Sequence, residues 1–212
     1  MIRRVSLLIA VLTLVAYVTD ARAAQDSGPV LQSSRWPPAA VVINSDFQFL
    51  AGDHIRIGAA EADIFVVVDA PDGTVQRLYW IQFEGYPEGI GYTYDYSDLP
   101  YADTISGYAF RSDVRYGSYS SAEMRDERDT GTVVGMLRDH GFDVPAPMMR
   151  IRMVALDETQ ENELMVIYLE SLTYRGLTVD ELDSDAAQWR DVATRLRQRA
   201  INGLHLQNND TE

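Results

Sequence analysis

The chain contains no cysteine and no lysine; all 18 of its basic residues are arginine, and it has only three histidines. Without cysteine there are no disulfides, thiol nucleophiles, iron–sulfur ligands, covalent c-type haem attachments or thiolate zinc sites. Without lysine there is no P-loop phosphate clamp, no Schiff-base or pyridoxal phosphate chemistry, and no S-x-x-K acyl-enzyme. His54, His140 and His205 are scattered and match no H-x-H or H-E-x-x-H spacing, so a histidine-built metal centre is not expected. G-x-S-x-G and the D-x-[DN]-x-[DN]-G calcium loop are also missing. The expectation is a chain with no metal and no cofactor.

Positive charge is scarce as well. Eighteen arginines face 32 acidic residues, for a formal charge of −14. Such a surface repels phosphate backbones and anionic lipid, which argues against nucleic-acid binding and membrane docking.

The N-terminus has a definite pattern. Arg3 and Arg4 precede an apolar run of 14 residues from Val5 to Val18, and Ala21-Arg22-Ala23 follows. Basic start, short apolar run and A-x-A site are the three parts of a cleavable secretory signal, with cleavage expected before Ala24. The run is short of the roughly 20 residues needed to span a bilayer, so no membrane span is expected after cleavage. An exported chain without disulfides points to the bacterial periplasm or the secreted fraction.

The remainder is 46% apolar over the whole chain, an ordinary value for a globular protein. Residues 24–40 carry three prolines and read as an extended lead-in. Residues 41–203 read as one α+β domain, and 204–212 as a frayed tail. Ile64–Asp69 and Val75–Glu84 flank Pro71-Asp72-Gly73 and predict a hairpin. Met148–Leu156 and Glu163–Glu170 predict a second, and weaker strands are expected within 41–58. One helix is predicted from the capping box Ser120–Glu123 to about His140, with Met124 and Val133 on its apolar stripe. A short turn follows Thr178, and a final helix runs from Asp185 to Ile201. The sum is an antiparallel sheet of four to six strands built from two hairpins, with two main helices.

Residues 85–119 hold eight of the 12 tyrosines among Gly, Ser and Asp. They read as a long loop with a short strand near 106–111. This is the composition of binding loops, because tyrosine offers a rigid face, a directed hydroxyl and little rotamer entropy to lose. Tyr92, Tyr94, Tyr96 and Tyr101 are the candidate ligand-binding residues, with Arg150 and Arg152 beside them. Glu84 and Glu170 each end an apolar strand and are weak catalytic candidates as a carboxylate pair; His54, next to Asp53, is a third. The leading functional expectation is a non-catalytic binding module for a glycan, peptide or envelope protein. The alternatives are an envelope hydrolase or isomerase using the carboxylate pair, and an assembly or structural factor using the arginine face of the last helix. Nothing in the residues sets the oligomeric state.

Overall fold

The structure is a computed structural model that describes residues 28–117, 128–143 and 146–208. The export segment 1–23 and the Ser120–Glu123 capping box with Met124 lie outside the described residues.

A seven-stranded antiparallel sheet organises the chain, in the order β3-β4-β5-β9-β8-β7-β6. Its strands are β3 (Gln48–Ile57), β4 (Ala60–Asp69), β5 (Arg77–Gly85), β6 (Tyr101–Ile105), β7 (Tyr108–Gly117), β8 (Met148–Leu156) and β9 (Asn162–Ser171). One meander, β3 to β5, meets a second, β6 to β9, along the β5–β9 seam. A smaller sheet has the order β1-β2-β10, from Val30–Leu31, Ala39–Ile43 and Leu204–Asn208. The helices are α1 (Arg128–Asp139), α2 (Val179–Ser184) and α3 (Ala186–Asn202).

This corrects the expected fold class. The described residues are mostly β, 45% strand against 23% helix, with ten strands in two sheets and three short helices among them. The expected α+β domain with a four-to-six-stranded sheet fails for two local reasons. The tyrosine-rich segment contains a whole hairpin, β6–β7, turned at Ser106 (φ 49°) and Gly107 (φ 89°). Two consecutive positive-φ residues make the tight hairpin turn that Ser-Gly favours. In addition, the lead-in and the tail pair with β2, so Leu204–Asn208 is a strand and not a frayed end.

Both faces of the large sheet are covered, as the absence of a polar face on β5 implies. On one face, Phe65, Tyr79, Ile81, Phe83, Ile151, Val166 and Tyr168 pack against α2, α3 and the small sheet through Leu182, Leu196, Ala200, Ile43 and Leu204. On the other, Ile64, Val66, Leu78, Trp80, Met165 and Ile167 meet Val133, Met136 and Leu137 of α1. Helix α1 ends in a Schellman motif. Gly141 (φ 81°) and Phe142 donate to the carbonyls of Arg138 and Leu137, both at 2.9 Å. Asp185 caps α3 by accepting from Ala187 and Gln188 at 2.8 and 3.0 Å, which holds its carboxyl below the usual range.

The end of α3 is fixed by a close approach. Buried Tyr79 donates its hydroxyl to the Ala200 carbonyl at 2.8 Å. A Cβ on Gly203 would lie 2.3 Å from the Tyr79 hydroxyl oxygen. Gly203→Ala should therefore cost about 1–3 kcal/mol through overpacking, read as a lower urea midpoint with an unchanged slope. An unchanged midpoint would contradict the packing described.

Candidate functional site

The sheet register brings together a pair of glutamates that strand-end reasoning does not pair. Glu84 closes β5, and directly across the seam stands Glu163, at the start of β9. They share the α1 face, and only 6% and 2% of their surfaces are exposed. A relay orients Glu84: the Trp80 indole N–H donates to Gln82 Oε1 at 3.1 Å, and the Gln82 amide donates to Glu84 Oε2. Tyr94 donates its hydroxyl to Glu84 Oε1 at 2.7 Å, and Tyr96 donates to Glu163 Oε2 at 2.8 Å.

Burial raises the pKa of both carboxyls, and Asp129 in the first turn of α1 adds to it. Glu163 is pushed up to about 7: burial dominates, Glu84 and Asp129 add, and the Tyr96 bond and Arg152 oppose. Two facing carboxyls of this kind titrate as a coupled pair. Glu84 receives two donors and Glu163 one, so the ionic form of Glu84 is the better hydrogen-bonded of the two. The phenols of Tyr94 and Tyr96 are pushed well above their usual range, burial first in each case.

These bonds seat residues 86–99 on the sheet. Tyr86 and Tyr94 donate their backbone N–H groups to Glu161 and Gln160 at 3.0 and 2.8 Å. Their acceptors lie in the β8–β9 turn, which Asp157 organises by accepting from Thr159, Glu161 and Asn162. The rings of Tyr86, Tyr94 and Tyr96 stack in a row, at 4.7 Å and 19°, then 6.4 Å and 11°. Tyr92 leans edge-on against Tyr86 at 5.7 Å and is 59% exposed. Ile90, two residues earlier in the chain, is also exposed. At the inner end the Arg152 guanidinium lies 5.7 Å from the Tyr96 ring centroid.

Three of the four candidate tyrosines, Tyr92, Tyr94 and Tyr96, thus come together. Tyr101 does not. It opens β6 on the opposite face, 4.1 Å beneath the Arg197 guanidinium, which itself holds Asp103 with two 2.9 Å bonds.

Arg150 and Arg152 lie on the same face as Glu84. They do not neutralise Glu170 across the hairpin; with Arg115 they converge on Asp113 of β7. Glu170 is on the other face, fully buried, paired with Arg175 and Arg199 and accepting from Tyr168 at 3.1 Å. Burial alone would raise its pKa, but the two guanidinia outweigh that and hold it low. Glu84 and Glu170 are therefore not a pair: they face opposite ways, and seven residues of β9 separate Glu170 from the partner of Glu84, roughly 20 Å of strand.

His54 is oriented by Asp63 across β3–β4, Nδ1 to Oδ1 2.7 Å, and not by Asp53, which accepts from the His54 backbone. It lies on the face opposite Glu84. Ser33 donates to the other oxygen of Asp63, so the aspartate sits between serine and histidine, the wrong order for activating a hydroxyl. The expected arginine face of α3 is largely engaged too, Arg195 with Asp191, Arg197 with Asp103 and Arg199 with Glu170. Among the described residues no three His, Asp or Glu side chains are placed to hold a metal ion. No described helix is long and apolar enough to cross a membrane.

No protein-family model, curated protein or solved structure matches this chain.

Proposed function

We propose that the protein is a non-catalytic binding module of the bacterial cell envelope, exported by its N-terminal segment, which takes up a glycan or peptide ligand on the tyrosine row. The observation that carries this reading is the row itself. Four rings are held in register, their inner hydroxyls anchored to buried carboxyls, while Tyr92 is left largely in solvent at the outer end. A preordered aromatic surface loses little entropy on binding, which is how rigid tyrosines supply affinity.

Catalysis is the weaker use of the same residues. Glu84 and Glu163 are buried under the phenols that hold them, a placement suited to anchoring the segment rather than to reaching a substrate. The excess negative charge favours ligands that are not polyanions.

Tyr92→Ala tests the proposal. Calorimetry or NMR titration against a panel of envelope oligosaccharides and short peptides should find a ligand whose affinity falls by about tenfold or more in the variant, the loss expected of an aromatic contact at the centre of an interface. The thermal midpoint should not move. A ligand bound equally well by both forms would place its site elsewhere.

A further inference from the structure

We infer that the arginine strip on β7 and β8 is the carboxylate-recognising end of this site, binding a singly charged carboxyl group of the ligand whose body lies on the tyrosine row. The inference rests on the binding reading above and names the chemistry of the ligand.

Arg111 and Arg115 of β7 and Arg150 and Arg152 of β8 project from one face. The register sets Asp113 opposite Arg152 and Arg115 opposite Arg150, with Arg111 one pair further along. Asp113, 5% exposed, is the carboxylate that three of these arginines share. It accepts from Arg115 Nε and Arg152 Nε at 2.9 Å and from a terminal Arg150 nitrogen at 3.3 Å. Arg111 has no carboxylate partner among the described residues. Three guanidinia on one anion, with a fourth on the same face, is a local reversal in a chain with 32 acidic residues and 18 arginines.

The strip also has unfilled hydrogen-bonding capacity. Arg150 Nε is buried with no partner, and an unsatisfied buried donor costs about 1–3 kcal/mol. Arg115 and Arg150 are like charges placed directly across a strand pair, an unfavourable pairing that the one shared oxygen of Asp113 offsets only in part. Their side chains keep 64% and 24% exposure, and that of Arg152 26%, so the remaining guanidinium edges are reachable from solvent. Arg152 joins the strip to the row through Tyr96.

A carboxylate fits better than a phosphate. Guanidinium forks match planar carboxylates with two parallel bonds. The strip already holds one carboxylate, that of Asp113, through a single bond from each of three guanidinia, and the acidic surround penalises a dianion more than a monoanion.

The test follows the arginine Nε–Hε resonances by NMR. The probes are a uronic-acid disaccharide with its methyl ester, a short peptide with a free C-terminus with its amide, and inorganic phosphate. At least one free acid should move the Arg115 and Arg150 signals and bind about tenfold tighter than its ester or amide, the margin of a charge-assisted bidentate contact. Whichever acid does so identifies the source of the carboxyl group. Arg115→Gln and Arg111→Gln alter exposed side chains, so the fold should survive, and the first should erase the margin. Equal binding of acid and neutral forms, a response to phosphate alone, or no movement with any acid at millimolar concentration would overturn the inference. The two readings fail separately. If Tyr92→Ala weakens acid and ester alike while no acid margin exists, the row stands and the carboxylate site falls. If Arg115→Gln erases binding that Tyr92→Ala leaves intact, the arginine site stands and the row falls.

Discussion

Glu170→Gln lowers the stability of the fold by about 3 kcal/mol, toward the lower end of what breaking a buried ion pair costs. Glu170 has no exposed surface and receives Arg175 from the turn after β9, Arg199 from α3 and the hydroxyl of Tyr168. It is therefore the charge that binds α3 to the large sheet. Glutamine keeps the shape and removes the charge, leaving two guanidinia facing a neutral amide. The cost stays at the low end because the arginine side chains are 29% and 31% exposed and can recover some hydration. For a protein of this size the thermal midpoint should fall by about 10 °C. The pH dependence has a definite sign. The folded pKa of Glu170 lies below its ordinary value of 4.5, so its contribution is complete above that value and is lost as pH falls through the lower folded value. In urea titrations the variant should lack that acid limb. A loss under about 0.5 kcal/mol, the scale of a surface substitution, would show the cluster to be incidental.

Glu163→Gln should do the opposite and stabilise the protein in mild base. Its carboxyl titrates at about 7 in the fold against an ordinary 4.5. A carboxyl whose pKa is raised by folding takes stability away as pH rises through that window, because the native state binds the extra proton. Above about pH 8 the wild type therefore carries a penalty on the order of 2–3 kcal/mol that the variant escapes. Glutamine still offers Tyr96 an oxygen, so the row stays seated. Removing one member of the pair also lets Glu84 ionise more readily. Near pH 5 the two proteins should be about equally stable. A variant less stable than wild type at both ends of the range would mean that Glu163 works as an ion pair and not as a proton holder.

The local parts of the fold were legible. Pro71-Asp72-Gly73 marks its hairpin, Gly141 ends α1, and Ala193, Leu196 and Ala200 are the buried stripe of α3. Thr178 begins α2 as a full capping box with Glu181. Non-local pairing was not legible, and the errors arose there. Ser106-Gly107 is a recognisable turn, but the tyrosines around it mask the alternation of β6 and β7. Leu204–Asn208 reads as a tail because its partner β2 lies some 160 residues earlier.

The site was half legible for the same reason. Two glutamates that each end a strand meet only if the strands run parallel. Antiparallel pairing sets a strand end against a strand start, so Glu84 meets Glu163 and Glu170 turns away to Arg77. Assuming that the two predicted hairpins adjoin antiparallel would have found the pair. Alternation along the strands correctly placed Arg150 and Arg152 on one face, but their partner Asp113 belongs to a strand the tyrosine-rich reading concealed.

The tyrosine row is seated on an acid pair whose Glu163 carboxyl is pushed up to about 7. Carboxyl-carbon NMR of glutamate-labelled protein over a pH titration measures this directly. A Glu163 midpoint near 7, with Glu84 also above its ordinary 4.5, is the predicted result. Midpoints for both at or below 4.5 would mean that the pair is solvated and ionised, and the anchoring of Tyr94 and Tyr96 described here would be wrong.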